Sequence, residues 1–299
     1  MATDFNCINC KVCLGSGCIG QLPGMGGVDN NKNFILNCSG WKKYHHLAAD
    51  LNSLSIPELL AYLRLAPMTG AQENIGWPDE DSFYEPFIGA VFSAGIGLTI
   101  GDGFPDNKLL SGIKAVQVLP QIDGKNPESG VFLKPYSQDK IFERIEWSKP
   151  VASHYGIDID AYNIVTMRNK VNLDKKTASQ IKEIMAKIDK PFVVKGVFTK
   201  EDIELCKEAK PDVIFVSNHG GRINTDTGAT ADFLAQNVKE LKNYCKEVWV
   251  DGGIRTLNDL KAAISLGADQ VLIGRPLATA FCYGGQKGVA DWVKKMVTV

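Results

Sequence analysis

Four short stretches of this 299-residue chain bring reactive residue types into close spacing. The first is Ser217-Asn218-His219-Gly220-Gly221-Arg222. A histidine can take a proton near neutral pH, and an arginine can clamp a carboxylate through two parallel bonds. Together they suit proton abstraction next to a bound carboxylate. The second and third are Asp251-Gly252-Gly253-Ile254-Arg255 and Gly274-Arg275. Glycines let the backbone come close and offer N–H donors, and Arg255 and Arg275 add charge-assisted donors, so the two loops read as one phosphate site. The bland alternative is a pair of turn glycines with surface arginines. The same combination in two successive loops favours phosphate. The fourth is Lys195, at the end of the apolar run PFVVKGV. A cation there could face solvent, form a Schiff base or stabilise negative charge on a cofactor, and residue type alone leaves the three open.

These stretches must be positioned by repeated elements. From about residue 62, short apolar runs alternate with amphipathic stretches, the signature of βα units and a parallel sheet. Eight strands are predicted: Tyr62–Pro67, Ala90–Ala94, Ala115–Leu119, Tyr155–Asp160, Phe192–Gly196, Val213–Ser217, Val248–Asp251 and Gln270–Gly274. The last four are rich in Val, Ile or Phe, as strands buried on both faces are. Thr199 with Asp202 three residues later resembles a helix-capping box, and Thr256–Leu266 reads as a helix stopped by Gly267. Eight strands and eight helices predict an α/β fold, a (β/α)8 TIM barrel over residues 61–299. Residues 1–60 form a Cys- and Gly-rich extension with a lead-in helix near Ile56–Tyr62.

Such barrels build their sites at the C-terminal strand ends, and loops seven and eight often hold phosphate. The other strand-end residues are Pro67 and Met68 after Ala66, Ser93, Gln117, and Asp158 with Asp160. The stretch GIGLTIGDG at 95–103 lacks the GxGxxG spacing of a dinucleotide loop and is set aside. Hydrophobic content of 44%, charged content of 22% and a net charge of −1 supply a large core and no nucleic-acid footprint. No apolar run approaches the length of a membrane-spanning helix. The N-terminal MATDFNCINCKVC does not read as a secretory signal, so a cytoplasmic location is expected.

The segments PFVVKGVFTKEDIELCKEA, VIFVSNHGGR and VWVDGGIRTLNDLKAAISLGADQVLIGRP, running from Pro191 to Pro276, resemble the FMN-dependent α-hydroxy-acid oxidase and dehydrogenase family. That family includes glycolate oxidase, lactate oxidase and flavocytochrome b2. The resemblance implies FMN as cofactor and oxidation of a small 2-hydroxy acid, such as lactate or glycolate, to the 2-oxo acid. It implies His219 as the base, Arg222 as the carboxylate clamp, Asp160 as the partner of the histidine, and Lys195 as the cation stabilising reduced flavin. Asp251, Gly252, Gly253, Arg255, Gly274 and Arg275 would hold the phosphate and ribityl chain. Pro67, Met68, Ser93, Gln117 and Ser217 would lie along the flavin. The resemblance also implies a homo-oligomer, with O2, a quinone or another carrier as electron acceptor.

The chain departs from the family pattern in several places. Gln117 is followed by Val118 and Leu119, where a tyrosine is usual two residues on, and a second N-terminal tyrosine has no match. The fourth strand reads Asp158-Ile159-Asp160 rather than Thr-Val-Asp, and only Arg168 stands for the usual arginine after it. The stretch from Asp160 to Lys195 is short, predicting a reduced lid, and Arg222 is followed by Ile223-Asn224-Thr225-Asp226. Another FMN-dependent barrel activity, an isomerase or a reductase, and a flavin-binding protein without turnover are the competing readings. Intact Lys195, His219 and Arg222 argue against the last.

Cys7, Cys10, Cys13 and Cys18 crowd together just before the glycine loop at 23–27. Four thiolates at this spacing could bind an iron–sulfur cluster or zinc, or remain free. The scattered Cys38, Cys206, Cys245 and Cys282 read as small buried hydrophobes.

Overall fold

The computed structural model describes residues 32–71, 77, 79–164, 167, 170–222 and 226–298. The four N-terminal cysteines, Arg168 and residues 223–225 lie outside the described residues. Eight strands run in parallel: β1 (Leu63–Leu65), β2 (Thr99–Gly101), β3 (Ser129–Leu133), β4 (Ala152–Asp158), β5 (Phe192–Val197), β6 (Val213–Val216), β7 (Glu247–Val250) and β8 (Gln270–Ile273). Each pairs with its sequence neighbour from β2 to β8, and β8 pairs with β1. The ring closes where Leu65 N donates to Gly97 O (2.8 Å) and Gly97 N donates to Leu63 O (3.0 Å), just before β2. The expected (β/α)8 barrel is therefore present.

Eight helices follow the strands, one after each. They are α3 (Glu80–Ser93), α4 (Asn107–Gln117), α5 (Gln138–Ser148), α6 (Ala178–Ala186), α7 (Lys200–Ala209), α8 (Thr230–Leu241), α9 (Leu257–Ser265) and α10 (Arg275–Val297). Local chemistry sets several starts. Thr199 Oγ1 accepts from Asp202 N while Asp202 accepts from Thr199 N, and Thr256 and Asp259 repeat the arrangement at α9. Both predicted helices start at these threonines, where a side chain satisfies N–H groups that have no intrahelical partner.

Two predicted strands are helices instead. Ala90–Ala94 is the end of α3, and Ala115–Leu119 the end of α4. A short apolar run does not by itself distinguish a buried strand from a buried helix face. In α3 the apolar residues cover Phe83 and Phe87, whose rings pack on Phe281 of α10 at 5.6 and 5.5 Å between centroids. Asp79 caps this helix by accepting from Ser82 N (2.7 Å). The true second strand is only three residues long and lies inside GIGLTIGDG, where glycines mask its pattern.

The barrel interior is an aromatic plug. Phe132, Val193, Phe215, Trp249 and Leu272 form a buried cluster apart from the larger core between strands and helices. Ring centroids lie 5.9 Å apart for Phe132–Phe215 and 6.1 Å for Phe215–Trp249. Side chains alternate along a strand, so the residue two positions further on points the same way, one layer higher. Those positions are Lys134, Lys195, Ser217, Asp251 and Gly274. The interior period thus lifts a polar layer onto the plug at the C-terminal mouth.

Before the barrel come α1 (Lys32–Gly40), a 3-10 helix (Trp41–Leu51) and α2 (Ile56–Ala61). The 3-10 helix packs on α9. His45 Nε2 meets Asp259 Oδ1 at 2.7 Å, and Ser265 Oγ donates to Leu47 O at 3.1 Å. Buried Trp41 donates from Nε1 to Gly252 O (2.8 Å). Among the described residues no helix is long and apolar enough to cross a membrane.

Candidate active site

One open pocket lies over the polar layer. Lys195, His219, Arg222, Asp251, Arg255 and Arg275 all line it. Pro67, Met68, Gly252, Gly253 and Gly274 complete the predicted residues on its wall.

His219 sits in the turn after β6 with a left-handed backbone (φ 58°), unusual for a residue with a side chain. Neighbouring groups hold it there. Its N–H donates to Ser217 Oγ (3.1 Å), and Asn218 Oδ1 accepts from Gly221 N (3.0 Å). His219 Nδ1 lies 3.1 and 3.2 Å from the two oxygens of Asp160. Asp160 stands behind the histidine, just past the end of β4. Room for its carboxylate comes from Gly196, at an irregularity in β5. A Cβ on Gly196 would come within 2.5 Å of Asp160 Cγ. Burial lowers the His219 pKa, with Lys195 adding to the effect and Asp160 opposing it. The imidazole is therefore neutral at neutral pH, and its Nδ1–H can be given to Asp160.

Lys195 lies over the Phe215 ring, with Nζ 5.5 Å from the centroid and 2.9 Å from Asp158 Oδ1. Burial disfavours its charge, but Asp158, Asp160 and Asp251 outweigh burial and hold it above the ordinary lysine range. It is a protonated ammonium, which closes the Schiff-base reading left open by residue type, since that chemistry needs a neutral amine. Burial also works against the Asp158 carboxylate, yet Lys134 and Lys195 together keep it well below the usual range. Asp158, Asp160 and His219 could bring ligand atoms within 4.8 Å of one another. Two lysine ammonium groups already hold the Asp158 carboxylate, which disfavours a metal cation there.

The end of the pocket at α10 suits an anion. Gly274 and Arg275 open α10 at the pocket wall, so the positive end of the helix dipole lies there. Arg255 Nη1 donates to Ile254 O (2.8 Å), and its N–H donates to Asp259 Oδ2 (3.0 Å). Arg275 Nη2 donates to Gly220 O, and its guanidinium stacks 4.1 Å over the Phe34 ring. Helix α1 braces both loops. Asn37 Nδ2 donates to Asn218 Oδ1 (2.8 Å), and Asn37 Oδ1 accepts from Thr230 N (3.0 Å). A Cβ on Gly253 (φ 80°) would lie 2.0 Å from Asn37 O, so only glycine permits this approach.

Asp251 is buried with Oδ1 lacking a hydrogen-bond partner among the described residues, and burial pushes its pKa up to about 6 despite Lys195 and Ser217. A buried acceptor in a polar pocket calls for a donor from a ligand. Hydroxyls of a ribityl chain, a phosphate at α10 and a planar ring beside Lys195 would satisfy this donor and acceptor set, so the residues fit FMN.

Ser93 and Gln117 do not belong to this site. Ser93 is exposed at the end of α3, where its Oγ donates to Gly89 O (2.8 Å), and Gln117 is exposed at the end of α4. Both were expected from strands that are helices. Ser217 is fully buried beneath His219 and does not line the pocket. The misplaced third strand also hid a tyrosine at the family spacing. Lys134-Pro135-Tyr136 follow the strand directly, but Tyr136 Oη donates to Gly103 O (3.1 Å) and its ring packs on Arg144. Thr69, Tyr84, Phe104, Lys108, Lys134 and Met167 line the pocket and were not foreseen. Lys134 follows from interior alternation once β3 is placed correctly.

The FMN-dependent dehydrogenase family profile matches residues 131–298. A 2-hydroxyacid oxidase 2 from Bos taurus is 44% identical over 101 residues, covering 34% of this chain and 28% of that protein. A 4-hydroxymandelate oxidase from Amycolatopsis orientalis is 39% identical over 113 residues, 38% of this chain and 31% of that protein. The matched stretch is thus under a third of these relatives' length. A solved mandelate oxidase with benzoyl-formic acid superposes at a TM-score of 0.65 with 20% identity, covering 94% of this chain and 90% of the other. A flavocytochrome b2 mutant with pyruvate bound gives 0.61 at 22% identity, covering 79% and 62%. At such identities the structural likeness speaks for the barrel alone.

Proposed function

Because this chain belongs to the FMN-dependent dehydrogenase family, with FMN as its cofactor, we propose that it oxidises a small 2-hydroxy acid to the 2-oxo acid. The observation that carries this reading is the neutral His219, held on Asp160 beside Arg222 at the wall of the same pocket. Asp251, Arg255, Gly274 and Arg275 would hold the phosphate and ribityl chain, with Pro67, Met68 and Lys195 along the ring system. The bound flavin supplies the two-electron oxidant.

The protein groups divide the remaining work. Arg222 clamps the substrate carboxylate and fixes the α-carbon relative to His219. His219 Nε2 takes a proton from the substrate. Asp160 accepts the Nδ1–H bond, fixes the tautomer and supports the imidazolium that forms. Lys195 places positive charge where negative charge collects as the flavin is reduced. O2 or another carrier would be the final electron acceptor. On composition and resemblance we place the protein in the cytoplasm as a homo-oligomer.

His219→Ala tests the base directly. We expect FMN to stay bound and turnover to fall by about 10²–10⁴-fold, the usual contribution of a positioned general base. Turnover within a few-fold of the parent would remove His219 from this role.

A further inference from the structure

Lys134, just past the end of β3, plays no part in the proposed chemistry, yet it is buried and reaches the same carboxylate as Lys195. Asp158 Oδ2 takes Lys134 Nζ, and Asp158 Oδ1 takes Lys195 Nζ at 2.9 Å. Both lysines line the pocket, whereas Asp158 does not. The carboxylate therefore lies behind two ammonium groups that face the ligand space. Lys134 is itself anchored. Its N–H donates to Asp102 Oδ2 (3.2 Å), and Asp102 is fixed by fully buried Arg144, Nε to Oδ2 at 3.1 Å.

Charge balance gives this arrangement its meaning. Two lysines share one aspartate, so Lys134 adds one positive charge against the Asp158, Asp160 and Asp251 carboxylates that act on Lys195. Without Lys134, Asp158 and Lys195 would form a closed neutral pair, and in a buried site such pairing cancels most of a cation's field at a third group. We infer that Lys134 is a positioning residue that shares Asp158 and so leaves more of the Lys195 charge directed toward the flavin. This rests on the reading of Lys195 as the cation beside reduced flavin, and it extends the site to a residue just past β3. A purely structural role, a tie between neighbouring strands β3 and β4, is the alternative. The two differ in what happens when Asp158 is neutralised as well.

The test uses the FMN-loaded protein and needs no hydroxy acid. The flavin midpoint potential is measured, and sulfite, which adds to oxidised flavin to give an anionic adduct, is titrated. Lys134→Met should lower the potential and weaken sulfite binding at least tenfold, in the same direction as Lys195→Met. The double variant Lys134→Met/Asp158→Asn should recover most of both, although it breaks the tie. If Lys134→Met fails to retain FMN, recovery of FMN binding in the double variant is the expected result. An unchanged potential in Lys134→Met, or a double variant no better than the single one, would overturn the inference. Neither readout contains substrate, so failure of the hydroxy-acid assignment leaves this result standing, and the reverse also holds.

Discussion

At the scale of single residues, the pocket works by controlling which groups are charged. Burial and Lys195 lower the His219 pKa, and Asp160 raises it. A base must be neutral to accept a proton, so kcat/KM should rise with pH through an acid limb lying below the ordinary histidine range and stay level at neutral pH. Removing the Asp160 charge takes away the opposing effect. In Asp160→Asn the limb should move to still lower pH while the plateau drops, because the imidazolium loses its partner. A limb that moves to higher pH would mean that Asp160 does not act on His219 as its geometry indicates. The measurement is a steady-state pH profile for both proteins.

At the scale of elements, the phosphate end depends on a helix that lies outside the barrel. Helix α1 carries Phe34 under the Arg275 guanidinium and Asn37 against Asn218 and Gly253. Phe34→Leu keeps apolar volume but removes the aromatic face, a contact worth about 0.5–2 kcal/mol. FMN affinity should weaken several-fold, read by fluorescence titration, with little change in melting temperature. An unaltered affinity would detach α1 from the phosphate site. The elements also explain what could be read in advance. β5 to β8 were legible because each carries three or four consecutive Val, Ile, Leu, Phe or Trp residues followed by polar or glycine residues. β2 and β3 were not, since three residues flanked by glycines carry almost no pattern and the apolar ends of α3 and α4 imitate strands. Ser93 and Gln117 were misplaced for that reason, and Lys134 was missed for the same one. The bracing by α1 left no local signal at all, because it joins residues some 180 positions apart in sequence, such as Asn37 and Asn218.

At the scale of the whole molecule, a closed barrel turns eight unremarkable strand ends into one ring of functional groups. The aromatic plug sets the height of that ring, and alternation along each strand decides which residue stands in it. The cofactor half, from β5 to β8, was therefore readable from SNHGGR, DGGIR and GRP, and these motifs meet in space as expected. The β2–β3 half had to be seen, and it is where this chain departs furthest from the family pattern. Anaerobic reduction of the FMN-loaded protein by a panel of small 2-hydroxy acids joins both halves in a single measurement. At least one acid should bleach the oxidised flavin absorbance in the parent and fail to do so in His219→Ala with FMN still bound. A flavin that chemical reductants bleach but no hydroxy acid reduces would contradict the assignment and point to another FMN-dependent reaction in this pocket.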